Sequence, residues 1–255
     1  AQTAATLDEL SGGRFILGLG SSTPNLVEGW HGLRFRQPLQ RTRETMTLCR
    51  KIWDRDRSPF AGEIFQTGGV KLGFEPVRKR IPIWHGALLE KSLQLCGELA
   101  DGWIPNLLPV EGIAEGKKVL QAAARQAGRE PDAVQVVPGI QMLVGDNADE
   151  LLQMMKFGLA VYYGPATSPY AKAAAKLGYA DDVARIQSAY ASGGSQAAIE
   201  ATSDALANAV AFVGSAESCR TRIKSLMDDG ADIVNVTMPG PTREACEPAL
   251  RGIIP

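Results

Sequence analysis

The sequence has few histidines and cysteines and no excess of either charge. It contains 2 histidines and 4 cysteines in 255 residues, and its formal net charge is −1. This balance argues against nucleic acid as a partner, because phosphate backbones are bound by strongly basic surfaces. No two cysteines have the spacing of metal ligands, so we predict no metal site and reduced thiols in a cytoplasmic protein. The four thiols are Cys49, Cys96, Cys219 and Cys246.

Long apolar runs are also absent. None reaches the ~20 residues of a membrane span, and residues 1–10 lack the basic start and apolar centre of a signal peptide. Hydrophobic residues make up 45% and charged residues 22%, which is typical of a globular protein without a membrane partner. The first residues, Ala1–Leu7, have the pattern of the middle of a helix and include no initiator Met. We therefore expect a sequence that begins inside a longer protein.

The most informative stretch is SGGRFILGLG at residues 11–20. Phe15–Leu17 is predicted to be a buried strand, with glycine on both sides. Glycines at a strand exit let backbone approach a ligand, and Ser21, Ser22 and Asn25 follow with polar groups. A turn without a ligand is the alternative interpretation. The dinucleotide fingerprint would need glycine where Thr23 stands, so the stretch does not predict a Rossmann site.

Further along the chain, predicted strands alternate with helical patterns. Residues 81–87, 103–105, 134–144 and 233–238 are the predicted second to fifth strands, and a hairpin is predicted within 62–72. Such alternation indicates a parallel sheet with crossover helices. Ala-rich helical segments at 164–213 interrupt the rhythm, and we interpret them as an insertion of short helices over one end of a barrel.

Four stretches, in this order, resemble the bacterial luciferase-like monooxygenase family. They are residues 6–20, Gly32-Leu33 with Glu44, residues 82–103 with their ELADG motif, and residues 213–236. The resemblance implies an α/β fold of the (β/α)8 TIM-barrel type that is N-terminally incomplete, with about five parallel strands. It implies a single domain over residues 1–255 that contains the helical insertion 164–213.

Within that family, residues 157–164 and 181–183 look like the branch that uses the deazaflavin coenzyme F420. The resemblance implies an oxidoreductase that transfers a hydride between F420 and a small organic substrate, and a homodimer at full length. The coenzyme contacts that it implies are Ser21, Ser22, Asn25, Gly86, Ala87, Leu89 and Glu90. Many relatives have Gly-Pro and a basic residue where this chain has Leu88–Lys91. Glu90 is unfavourable beside a phosphate, so either Lys91 compensates or the phosphate lies elsewhere.

Three alternatives remain open at this point. The protein is an FMN-dependent luciferase-like monooxygenase, a non-catalytic fragment of such a barrel, or an unrelated barrel enzyme acting on a phosphorylated metabolite. Glu28, His31 and His85 are candidates for proton transfer, because they titrate and lie near the predicted strand ends. A surface or packing role is the alternative for each of them, and no catalytic residue is predicted.

Overall fold

The computed structural model describes residues 1–145, 147–238 and 242–254. The chain divides into two compact units, which are Ala1–Ile104 with Val119–Val134, and Pro105–Lys118 with Gln135–Pro255. Within the described ranges, no helix is both long and apolar enough to cross a membrane.

The first unit alternates short parallel strands with helices. Along the chain it contains α1 (Gln2–Leu10), β1 (Leu17–Leu19), α2 (Pro24–Gly29), α3 (Pro38–Trp53), β2 (Phe60–Ala61), β3 (Gln66–Thr67), β4 (Ile83–His85), α4 (Glu90–Leu99) and β5 (Gly102–Trp103). Helix α5 (Gly112–Gln126) contains the boundary to the second unit. Strands β2 and β3 form an antiparallel hairpin that confirms the predicted one, although it begins before residue 62.

Strand β4 pairs in parallel with β1 on one side and with β5 on the other. Alternate residues of β4 are buried, and Trp84 between them covers Gly102, where any side chain would clash with its indole. The prediction of a buried first strand at Phe15–Leu17 was wrong in position and burial. Strand β1 begins at Leu17, its residues are half-buried or exposed, and Ile16 is 38% exposed. The reason is that β1 lies at the edge of its sheet, with only β4 beside it in the described residues.

One buried carboxylate, Glu44, and one half-buried carboxylate, Asp101, join the first unit together. Glu44 of α3 accepts hydrogen bonds from the backbone amides of Glu63, Ile64 and Phe65, and so holds the β2–β3 hairpin. Asp101 before β5 binds the guanidinium groups of Arg50 and Arg80. Because backbone amides and arginines are the donors, these carboxylates are held as charged acceptors.

The second unit has its own parallel sheet, surrounded by helices. It contains β6 (Gln135–Val136), β7 (Gly139–Val144), α6 (Ala148–Tyr163), α7 (Pro169–Ala174), α8 (Ala180–Ala201), α9 (Asp204–Val210), β8 (Ala211–Gly214), α10 (Ala216–Asp228), β9 (Asn235–Thr237) and α11 (Arg243–Ile253). Strand β7 lies between β8 and β9 and is parallel to both. The predicted single strand at 134–144 is divided, because residues 137–138 end β6 and Pro138 has no amide hydrogen to donate.

The segment 164–213 is mainly helical, as expected, but its details differ from the prediction. The 22 residues of α8 do not form one continuous helix: Gly194 has non-helical backbone angles (φ 68°, ψ −158°), so the glycine run divides α8 into two shorter helical stretches, as predicted. Residues 211–213 belong to strand β8, which the sequence analysis missed because a four-residue apolar run directly follows a helix. Gly178 (φ 100°) makes the turn between α7 and α8. Buried residues of α6, α8 and α9 form one core, which includes Leu159, Ile186 and Leu206.

Candidate functional site

The ends of β1 and β4 lie side by side, as the sequence predicted. Leu19 is in register with His85, and the amide of Gly86 donates to the carbonyl of Leu19 at 2.9 Å. Gly20 and Gly86 therefore leave their strands at the same edge of the sheet. A side chain at Gly20 would meet nothing within 4 Å, and one at Gly86 would meet only two carbonyl oxygens at 3.8 and 3.9 Å. The two glycines thus leave a bare main-chain surface that a flat ligand can approach closely.

The polar residues after β1 are exposed and have unused side chains. Ser21 and Ser22 lie in the loop after the strand, and Asn25 lies in the first turn of α2. Ser22 has a left-handed backbone, with φ of 61°. Among the described residues, the side chains of Ser21, Ser22 and Asn25 have no hydrogen-bond partner, so all three are available to a ligand.

The residues after β4 are arranged differently from those after β1. Ala87 is buried, and its carbonyl accepts a hydrogen bond from the indole of Trp103 at 2.8 Å. The amide of Leu89 donates to the hydroxyl of Ser92, which in turn donates to the carbonyl of Leu89 at 2.6 Å. Glu90 is exposed at the start of α4. Ser92 therefore fixes the start of α4 by a helix-capping arrangement. It was not among the predicted site residues, although a serine at the third position of a helix is a sequence signal for such a cap.

His85 links the two strands and is not an exposed acid or base. Its side chain is 2% exposed, and its Nδ1 lies 3.2 Å from the carbonyl oxygen of Leu19. Since a carbonyl only accepts, Nδ1 carries the hydrogen. Burial lowers the pKa of His85, although the hydrogen bond to Leu19 opposes this shift, and the imidazole is neutral. Its Nε2 is buried without a partner in the described residues.

The other two candidates for proton transfer make no contact with His85 in the described residues. His31 is exposed and stacks on Trp30, with ring centroids 5.4 Å apart. Glu28 accepts a hydrogen bond from the amide of Phe35 at 2.9 Å. The structure therefore does not bring Glu28, His31 and His85 together as an acid–base group.

A cavity of about 160 Å³ lies at the carboxyl end of β1. Its walls are Leu19, Gly20, Ser21, Val27, Arg34, Phe35, Arg36, Pro38, Arg41, Thr42 and Thr45. Three of these residues are arginines. Arg34 and Arg36 are exposed and have no ion-pair partner in the described ranges, whereas Arg41 lies over the ring of Phe65. Because this cavity is lined by arginines and by Ser21, it suits an anionic group.

Taken together, the parallel strands, their bare glycine ends and the cationic cavity define an α/β protein with a candidate site for a flat, anionic coenzyme. The model of the luciferase-like monooxygenase family matches residues 1–232, and the chain belongs to this family.

Known relatives and structures are consistent with this assignment. A protein of Mycobacterium tuberculosis that is named as a coenzyme F420-dependent oxidoreductase is 31% identical over 257 residues, which cover 93% of this chain and 74% of the relative. Coenzyme F420 dependent tetrahydromethanopterin reductase from Methanopyrus kandleri superposes with a TM-score of 0.79 at 21% identity, over 98% of this chain and 75% of the other. Riboflavin lyase with modified FMN superposes with a TM-score of 0.68 at 17% identity, over 97% and 66%. These structural similarities confirm the predicted α/β fold of the barrel type.

Proposed function

We propose that the protein is an oxidoreductase that transfers a hydride between coenzyme F420 and a small organic substrate. The observation that carries the proposal is the pair of glycine-ended parallel strands, with the amide of Gly86 bonded to the carbonyl of Leu19. Membership of the luciferase-like family and the relatives named for F420 support it. We also propose that the enzyme is located in the cytoplasm, because its four cysteines are free thiols.

The residues of the site fit such a coenzyme to different degrees. Gly20 and Gly86 offer open main chain to a planar ring, and the free side chains of Ser21, Ser22 and Asn25 offer hydrogen bonds to its edges or tail. Ala87 and Leu89 lie in the predicted contact region, but polar backbone groups of both residues are engaged by Trp103 and Ser92. We propose that they shape the turn against which the coenzyme would lie.

The anionic part of the coenzyme is best accommodated by the arginine cavity. Glu90 would repel a phosphate near the start of α4, and the only partner of its side chain in the described residues is Gln94, at 3.5 Å. In contrast, Arg34 and Arg36 line the cavity with Ser21 and are cations without an ion-pair partner in the same described ranges. We therefore propose that the phosphate lies at the carboxyl end of β1, away from Glu90.

When bound, the coenzyme would supply the carbon that gives or takes the hydride. The residues of this chain bind and orient it and exclude water from one side. His85 holds its proton between the two strands, so it positions the site and is not available as a solvent-linked acid. No catalytic residue is assigned.

The test is titration of the protein with F420 and, separately, with FMN, followed by absorbance and fluorescence. In Gly86→Ala the added Cβ has room in the protein, so we expect an unchanged melting temperature and at least tenfold weaker coenzyme binding. Gly68→Ala is the matched control, because Gly68 also has open space around it. Equal binding by both variants, or no spectral response to either coenzyme, would contradict the proposal.

FMN-dependent monooxygenation is the second candidate, favoured by membership of the luciferase-like monooxygenase family. The same titration separates it, because F420 and FMN are offered separately. A non-catalytic role is a third candidate. The single barrel domain, the insertion at 164–213 and the homodimer remain proposals, and size-exclusion chromatography with light scattering tests the last of these.

A further inference from the structure

The second unit contains a cavity of about 230 Å³ beside β7 and α6. Its walls are Asn106, Leu107, Gln141, Leu143, Met154, Met155, Gly158 and Tyr162. None of these lining residues, all in the described part of the chain, is acidic or basic. A charged ligand would therefore lose its hydration here and gain no opposite charge, so the cavity favours uncharged molecules.

Two amide side chains supply the polar part of the cavity. Gln141 is half-buried on the central strand β7, and its amide has no partner among the described residues. Asn106 is exposed; its Oδ1 accepts from the amide of Leu107 at 3.1 Å, and its NH₂ group has no partner among the described residues. The NH₂ groups of both side chains can therefore donate to a carbonyl or hydroxyl oxygen of a ligand.

The wall that carries Asn106 is held rigidly before any ligand arrives. Leu107 has a left-handed backbone with φ of 50°, which is costly for a residue with a side chain. The buried phenol of Tyr163 donates to the carbonyl of Leu107 at 2.7 Å, and the amide of Gly139 donates to the carbonyl of Pro105 at 2.7 Å. Strain that is held in place by buried contacts is typical of binding sites, where a fixed wall lowers the entropic cost of binding.

The rest of the lining is apolar and adaptable. Leu143 and Met155 are buried, whereas Met154 is 54% and Tyr162 is 46% exposed. Methionine side chains adjust to irregular shapes, and a half-exposed tyrosine presents a ring with a polar edge. Such walls suit a compact hydrocarbon skeleton.

We propose that this cavity binds a small, uncharged, largely apolar molecule with one carbonyl or hydroxyl group, which the amides of Gln141 and Asn106 recognise. The ligand class is thus a ketone or an alcohol. Its assignment as the substrate of the hydride transfer rests on the proposed function, whereas binding itself does not.

The experiment measures binding of cyclohexanone and of cyclohexanecarboxylate to the full chain by ligand-observed NMR, without coenzyme. We expect the ketone to bind at least tenfold more tightly than the carboxylate. Gln141→Leu keeps the size of the side chain but removes the amide, and we expect about fivefold weaker ketone binding. Gln153→Leu on the exposed side of α6 is the matched control and should bind like the unmodified protein.

The proposal is overturned if the ketone does not bind, if the carboxylate binds equally well, or if both variants bind alike. Failure of the function proposed above gives a different result: the ketone binds with the expected preference, but neither F420 nor FMN changes the spectrum of the protein.

Discussion

Replacing Asp101 by asparagine tests how the first unit is held together. The carboxylate of Asp101 accepts from Arg50 at 3.0 Å, from Arg80 at 2.7 Å and from the amide of Ile83 in β4 at 2.9 Å. Its side chain is 19% exposed. Removing one partner of a buried ion pair costs about 3–5 kcal/mol, and exposed pairs contribute about 0–1 kcal/mol. Because Arg80 is 57% exposed, most of the stabilisation by Asp101 comes from Arg50 and Ile83. We therefore expect Asp101→Asn to lower the free energy of unfolding by about 3 kcal/mol.

The pH dependence of this loss has a definite sign. Burial raises the pKa of Asp101, but the amide of Ile83 and the two arginines outweigh it, and the pKa is lowered. A lowered carboxyl pKa stabilises the fold above the unfolded value of about 3.9, and this contribution is lost as the pH falls through the folded pKa. The difference between the protein and its Asp101→Asn variant should therefore be constant from about pH 5 to 8 and should shrink below about pH 4.

The assay is urea unfolding at several pH values, together with thermal unfolding at neutral pH, both followed by circular dichroism. At neutral pH the melting temperature should fall by about 6–12 °C. Asp132→Asn is the control, since Asp132 is exposed and, among the residues that the structure describes, accepts only from Gln121; its effect should stay within about 0.5 kcal/mol. An Asp101→Asn effect as small as that of the control, or one that persists unchanged at pH 3, would refute the reasoning.

Three further predictions concern other buried polar contacts. Glu44→Gln should speed amide hydrogen exchange at residues 63–65 about tenfold, because those amides lose a charged acceptor; unchanged exchange rates by NMR would contradict this. Tyr163→Phe should cost about 1–2 kcal/mol in urea unfolding and weaken cyclohexanone binding, because the phenol holds the carbonyl of Leu107; tight binding despite the loss of stability would separate the two roles. Burial lowers the pKa of His85, so unfolding takes up a proton below about pH 6.5 and stability falls there by up to about 1.4 kcal/mol per pH unit; His85→Asn should remove this slope, and an equal slope in both proteins would show that His85 titrates normally.

The sequence predicted the parts of the fold that depend on local patterns. The order of parallel strands and helices and the adjacent ends of β1 and β4 followed from apolar runs that end in glycine. The burial of β1 did not follow, because it depends on which strands lie beside it, and this is a non-local property. Strand β8 was missed because Ala211–Gly214 follows α9 without a turn residue between them. Local periodicity does not separate such a run from the end of a helix.

The candidate site was predictable in position but not in its use of each residue. The resemblance to the family selected Ala87 and Leu89 as coenzyme contacts. In the structure the carbonyl of Ala87 accepts from Trp103 and the amide of Leu89 donates to Ser92, and these partners are evident only once the strands are paired. His85 is the clearest case. As a titratable residue it suggested acid–base chemistry, but its Nδ1 and the amide of Gly86 both bond to the carbonyl of Leu19. The ends of the two glycine-ended strands are therefore joined by a main-chain oxygen that accepts from two donors, and a leucine at position 19 carries no sequence signal for that role.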